Sequence, residues 1–431
     1  MADYADFLAS KRRAVADHGI DVGEGDLHPS LFGFQRAITR WAIKKGRGAL
    51  FEDCGLGKSR QQLEWARLSG ATSLIVAPLS VARQTVREAH EVDIDARYVR
   101  HGDDITGPGV WITNYEMVSH FDPGAIDAIV LDESSVLKNV DGKTRRLLTE
   151  RFTTVPRRLA CTATPAPNDV AELTNHAEFL GVMPRNEMLA AYFVHDDEGW
   201  RLKGHASEPM YEWMATWAVA LRSPDDLGFD ATGYDLPALS IVPQVVHSRV
   251  EAEGQLFATD LGGIGGRAAV RRATLDARVG RAVELAKSDD QWIVWCGLND
   301  EAAAVTKAVD GAVNVEGSWS PDAKAEALEA FQDGAVRVLV TKTGIAGFGM
   351  NFQNCHRMAF VGLSDSYEAY YQAIRRCWRF GQTHPVEAHI VVSDLEEQIV
   401  SNVRRKETEA GRVTDRLVAH VARHFAQVVP A

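Results

Sequence analysis

Cysteine is scarce in this chain and follows no pattern. Five residues among 431, at positions 54, 161, 296, 355 and 377, form no CxxC pair and no metal-ligand spacing. That argues against both a disulfide framework and a structural zinc site. Long apolar runs are also lacking: none reaches the ~18 residues that suggest a membrane span, and the opening MADYADFLASKRRA has no signal-peptide core. A reducing cytoplasm with no membrane partner is the expectation. Positive charge is in deficit. The net charge of −12 excludes a nucleic-acid binder that works through overall charge, so any such contact must be local. The 14 histidines form no HExxH set, so no metal beyond Mg²⁺ is expected. Short-period repeats and low-complexity tracts are absent.

What is present is an ordinary core-forming composition, 45% hydrophobic and 25% charged, in a chain long enough for two cores and too long for one. Short β-rich runs alternate with helical patterns in two series, the signature of parallel sheets with crossover helices. The first series holds GALFEDC (48–54), TSLIVAPL (72–79), VWITNY (110–115), AIVLDES (128–134) and RLACTAT (158–164). The second holds QWIVWCG (291–297), AVNVEG (312–317), RVLVTKTG (337–344), RMAFVGL (357–363) and EAHIVVSD (387–394). Between them, about 180 to 285, lies helical sequence with a Pro- and Gly-rich patch, DDLGFDATGYDLPALSIVP, read as an inter-lobe connection. Trp213 and Trp217, at helical i, i+4 spacing, read as core or interlobe packing.

Chemistry concentrates at two strand ends of the first series. In FEDCGLGKSR (51–60) a strand gives way to a helix through Gly55, Leu56, Gly57, Lys58 and Ser59. Glycines let successive backbone N–H groups turn toward an anion, while the lysine supplies charge and the serine can hold Mg²⁺. In VLDESS (130–135) an apolar strand ends in Asp132 and Glu133. Mg²⁺–nucleotide hydrolysis needs such a pair, one carboxylate to position the metal through its waters and the next to polarise the attacking water. Each motif alone has a bland reading, a solvated turn or an exposed acid pair. Their occurrence in order on strands of one series makes that reading untenable. In the second series, Gln372, Arg376 and Arg379 are four and three apart, so on a helix they share one face, either a solvated surface or arginine fingers for a γ-phosphate.

From LFGFQRAI to QAIRRCWRFGQ, about residues 28 to 400, the order of motifs resembles that of superfamily-two helicases, and most closely the Swi/Snf-like DNA translocase ATPases. LFGFQRAI is similar to the opening motif, EDCGLGKS to motif I, APLSVARQ and ITNYEMV to the strand-contacting motifs Ia and Ib, and LDESSVLKN to motif II. LACTATPAPNDVAEL resembles motif III, the run from VEGSWSPD to MAFVG the second-lobe motifs through motif V, and QAIRRCWRFGQ motif VI. The resemblance implies an α/β fold of two tandem RecA-like lobes with the nucleotide cleft between them. The expected boundaries are an N-terminal segment (1–27), a first lobe (28–180), a helical insertion and linker (181–285), a second lobe (286–395) and a helical tail (396–431).

The resemblance further implies ATP and Mg²⁺ as cofactors and double-stranded DNA as partner, with protein partners unidentified. Gln35 would read the adenine edge, and Gly55, Leu56, Gly57, Lys58, Ser59 and Gly349 would complete the ATP site. Lys58 would neutralise the β and γ phosphates, Ser59 and Asp132 would hold the metal, and Glu133 would act as base. Arg376 and Arg379 would stabilise the transferring phosphoryl. Pro78, Gln84, Ser135, Thr162, Thr164 and Gln372 would contact nucleic acid or couple it to the nucleotide. Three positions depart from the pattern: Glu52 replaces the first P-loop glycine, Ser135 the histidine that usually ends motif II, and Trp378 a histidine common in motif VI. The compact chain resembles bacteriophage-encoded members, which implies a bacterial or phage-infected cell. A strand-separating DNA or RNA helicase is the alternative, and would be favoured by an inserted pin hairpin, of which the sequence shows no clear sign. A P-loop kinase would not need a second sheet. A catalytically silent DNA-binding scaffold would be expected to have lost Lys58 or Glu133.

Overall fold

The computed structural model describes residues 15–139, 141–197, 199–247, 271–346, 351–364, 366–394 and 397–428. The chain divides into two compact units, one formed by residues 1–232 with 408–431 and the other by 233–407.

The first unit is built on the strands β1 (Arg47–Glu52), β2 (Thr72–Ala77), β3 (Ala96–Tyr98), β4 (Gly109–Asn114), β5 (Ala128–Asp132) and β6 (Arg157–Cys161). The helices α1 (Gly33–Lys45), α2 (Lys58–Ser69), α3 (Leu79–Glu91), α4 (Lys143–Arg151) and α5 (Leu173–Leu180) surround them. The helix α6 (Arg185–Tyr192) leads into an antiparallel hairpin of β7 (Phe193–Asp196) and β8 (Gly199–Leu202). The helix α7 (Ser207–Met214) then precedes β9 (Ala218–Leu221). The sheet order is β3-β4-β2-β5-β6-β1-β9, every pair parallel. Strands such as LIVA and AIVLD are buried throughout because crossover helices cover both faces, so they read as continuous apolar runs.

The second unit holds β10 (Leu239–Val246), α8 (Leu275–Leu285), β11 (Trp292–Trp295), α9 (Asn299–Ala308), β12 (Val313–Asn314), α10 (Pro321–Gln332) and β13 (Val338–Thr341). The short helix α11 (Thr343–Ala346), β14 (Arg357–Phe360), α12 (Tyr367–Ile374) and β15 (Val386–Ser393) complete it. Its sheet is ordered β10-β15-β14-β11-β13-β12, again parallel throughout. Val294, Val340, Ala359, Ala302 and Val305 lie in one buried cluster of this unit. A buried Arg278–Glu301 ion pair at 2.6 Å ties α8 to α9, and Glu301 also accepts the backbone N–H groups of Gly297 and Leu298. The last helix, α13 (Glu397–Val428), continues into residues that group with the first unit. There His420 lies 3.0 Å from Glu208 and its ring stacks on Tyr211.

Two tandem parallel α/β units agree with the expected fold. Three strands of the two parallel sheets were not legible. β3 is three residues long. β9 lies in ATWAVALRS, a run read as helical, and pairs with β1. β10 sits inside the stretch read as a connection, with Pro243 mid-strand. A proline is tolerated there because β10 is an edge strand and its missing N–H needs no partner on the open side. Trp213 and Trp217 are buried in contact, ring centroids 5.4 Å apart, although α7 ends at Met214 between them. No described helix is long and apolar enough to cross a membrane.

Candidate nucleotide site

Parallel strand order brings both chemical motifs to one edge of the first sheet. β1 and β5 flank β6, with Leu50 and Asp132 each in register with Cys161, so the loop after β1 and the acid pair after β5 emerge side by side. The loop turns at Gly55 (φ 92°) and Gly57 (φ 81°), left-handed backbone that suits glycine, and Gly57 caps α2. N–H groups that open a helix in this way can seat an anion. Lys58 folds over the loop, its Nζ donating to the carbonyls of Glu52 at 2.7 Å and Asp53 at 3.0 Å. Gln35 is buried against the loop: Nε2 donates to the Leu56 carbonyl (2.8 Å) and Oε1 accepts from Phe32 N–H (2.9 Å).

Gly57 cannot be varied freely. A Cβ there would lie 2.2 Å from Gln35 Nε2 on a backbone at φ +81°. Left-handed strain of about 1–2 kcal/mol adds to that clash, so Gly57→Ala should weaken nucleotide binding by roughly tenfold or more. Titration of a fluorescent ATP analogue checks this, and unchanged affinity would show that the loop does not seat the phosphates.

Asp132 is buried. Its Oδ1 accepts from Gln62 Nε2 of α2 at 2.8 Å and from the Glu133 backbone N–H at 3.2 Å. Burial first, and then the neighbouring Glu133 carboxylate, pushes its pKa up to about 6. Glu52, fully buried, is pushed up to about 7 by desolvation, against the opposing pull of Lys58 and the Gln61 amide. Glu52 Oε1, Gln61 Oε1 and Gln62 Oε1 are buried without a hydrogen-bond donor. An acceptor-rich corner facing one lysine suits a small hard cation. Ser59 and Asp132 are oxygen donors of the kind Mg²⁺ takes, with water and phosphate filling its other positions. Among the described residues no group of three or more His, Cys, Asp and Glu could hold a metal.

The coupling candidates fall in two groups. Thr162 Oγ1 reaches Glu133 Oε2 at 3.5 Å and accepts the Thr164 backbone N–H at 3.1 Å, linking the segment after β6 to the acid pair. Ser135 Oγ turns back to the Glu133 carbonyl at 3.4 Å. Pro78 caps α3, and Gln84 on that helix donates to Glu88 at 2.6 Å. Glu88 in turn takes a hydrogen bond from Ser59, and burial raises its pKa. In the second unit, α12 ends at Ile374, so no single helical face carries Gln372, Arg376 and Arg379. Gln372 and Arg376 still meet, with Arg376 Nη2 donating to Gln372 Oε1 at 3.0 Å. Arg379 lies beyond the helix and donates to Asn351 Oδ1. Gly349 lies outside the described residues.

Sequence reading missed four residues around the acid pair and the loop: Gln62, Glu88, Tyr115 and His176. Tyr115 donates its hydroxyl to the Asp132 carbonyl at 2.6 Å, and His176 bonds Ser134. Tyr115 stood inside a quoted motif. Glu88 was recoverable one turn beyond Gln84, while Gln62 and His176 carry no local signal.

Residues 276–381 match the family model described as the helicase conserved C-terminal domain. The match lies within the second unit. It and the two parallel α/β units accord with the resemblance to superfamily-two helicases. No curated protein matches the chain. Among solved structures, the SWI2/SNF2 ATPase core of Sulfolobus solfataricus in complex with dsDNA is similar at 17% identity over 95% of this chain and 99% of that one, with a TM-score of 0.44. At that level of similarity the likeness bears on neither site nor ligand. The matched residues include both Arg376 and Arg379.

Proposed function

We propose that this chain is a DNA-stimulated, Mg²⁺-dependent ATPase of Swi/Snf-like type that moves along or remodels duplex DNA. The observation that carries the hydrolytic part is the hydrogen bond from Gln62, on the helix opened by Lys58 and Ser59, to Asp132. It supports reading the loop at Gly55–Ser59 and the acid pair as parts of one site. Lys58 would neutralise the β and γ phosphates and Glu133 would take the proton of the attacking water. Mg²⁺, when held by Ser59 and Asp132, supplies charge neutralisation at the phosphate oxygens. Arg376 and Arg379, from the second unit, would stabilise charge on the transferring phosphoryl. Lys58 and Glu133 are both present, which weighs against a silent scaffold.

A second reading, strand separation, is favoured by one observation. Phe193–Asp196 and Gly199–Leu202 form an antiparallel hairpin that sequence inspection did not find, with Trp200 edge-on to His195 at 4.8 Å. Two assays decide. ATP turnover measured with no nucleic acid, single-stranded DNA, duplex DNA and RNA should rise most with duplex, and should fall with salt as counterion release predicts. The same protein should displace the third strand of a triplex and leave a forked duplex intact. Efficient fork unwinding would favour the hairpin reading, and turnover indifferent to every nucleic acid would sink both.

A further inference from the structure

We propose that Ser134 and His176 form a positioning pair that holds Glu133 in its left-handed backbone conformation. The inference rests on the reading of Glu133 as the base for ATP hydrolysis. Among the described residues only Asp93 and Glu133 have positive φ without being glycine. Asp93 is on the surface, its side chain 96% exposed. Glu133 sits at φ 54°, ψ 54° in the acid pair itself. Such a conformation costs on the order of 1–3 kcal/mol and persists only where surrounding structure over-determines it.

The source of that restraint lies one residue along. Ser134 is fully buried, and its Oγ shares a 3.1 Å hydrogen bond with Nε2 of His176, also fully buried, on α5. The His176 ring stands edge-on to Phe51, centroids 5.1 Å apart and planes at 83°. Phe51 precedes Glu52 at the end of β1, just before the phosphate-binding loop. One imidazole therefore braces the turn after β5 against both α5 and the strand that feeds the loop. Burial lowers the ring's pKa to about 4, so it stays neutral at pH 7 and adds no charge beside Glu133. Both side chains are fully buried, so their effect would pass through the Glu133 backbone.

The test uses the full-length chain. Ser134→Ala combined with His176→Phe removes both polar partners together, which spares the fold the cost of one buried unpaired group. The double variant should keep ATP affinity within about twofold while kcat falls roughly tenfold or more, a split that general loosening would not produce. His176→Gln, which retains a side-chain nitrogen for Ser134, should recover most of the rate. A crystal structure of the double variant should show residue 133 away from φ +54°. Wild-type kcat in the double variant overturns the proposal, as does an unchanged left-handed Glu133 whatever the rate. If the wild-type chain hydrolyses no nucleotide, the ATPase reading fails instead, and the backbone conformation at residue 133 still decides whether the pair restrains it.

Discussion

Glu133→Gln should bind ATP as the wild type does and turn it over at least about a hundredfold more slowly, the loss expected when a positioned proton acceptor is removed. The change keeps side-chain size and removes charge. The turn that carries residue 133 is held by the Ser134–His176 bond and by the Glu133 carbonyl, which accepts from Val136 N–H at 3.2 Å. None of these contacts needs the Glu133 carboxylate, so the fold should survive. Stopped-flow phosphate release together with equilibrium binding of an ATP analogue separates affinity from rate. Near-normal release in the variant would move the base elsewhere, and Glu52 would then be the carboxylate to examine, since it is buried and its pKa is raised to about 7.

How far the molecule was legible in its sequence follows from the range of the interactions concerned. The loop at Gly55–Ser59 and the pair Asp132–Glu133 were visible because their chemistry is contiguous in the chain, each closing an uninterrupted apolar strand. The ten strands read from the two series all exist, because a strand covered on both faces is a simple apolar run. β9 was lost because four apolar residues after a helix fit either structure, and only pairing with β1 makes them a strand. β10 was lost to its proline, since Pro243 reads as a breaker until the strand is known to be an edge. Arg379 was placed on a helix by spacing alone, yet α12 stops at Ile374 and the chain turns. His176 and Gln62 are beyond any local reading: they lie 42 and 70 residues from their partners, Ser134 and Asp132, and only tertiary folding brings them together.

Arg376→Ala should abolish ATP hydrolysis while reducing nucleotide affinity only modestly. An arginine that meets charge developing on a transferring phosphoryl contributes mainly to rate, about 10³-fold or more. Arg376 is buried and held by Gln372 through a 3.0 Å bond, so its guanidinium is oriented in advance. Lysine should not rescue it, because an ammonium cannot supply the planar, forked donor set. Arg375 serves as the control with a different expectation. It is buried with its guanidinium 4.8 Å from the Trp378 ring centroid and 5.9 Å from that of Tyr371. Arg375→Ala should therefore lower the melting temperature through lost stacking while turnover per folded molecule stays within a few-fold. Thermal melts and single-turnover rates measured on both variants separate the cases. Equal rate losses at 375 and 376 would trace the effect to disruption of the segment after α12. Full activity of both Arg376→Ala and Arg379→Ala would remove the second unit from the chemistry and leave hydrolysis to the first unit alone.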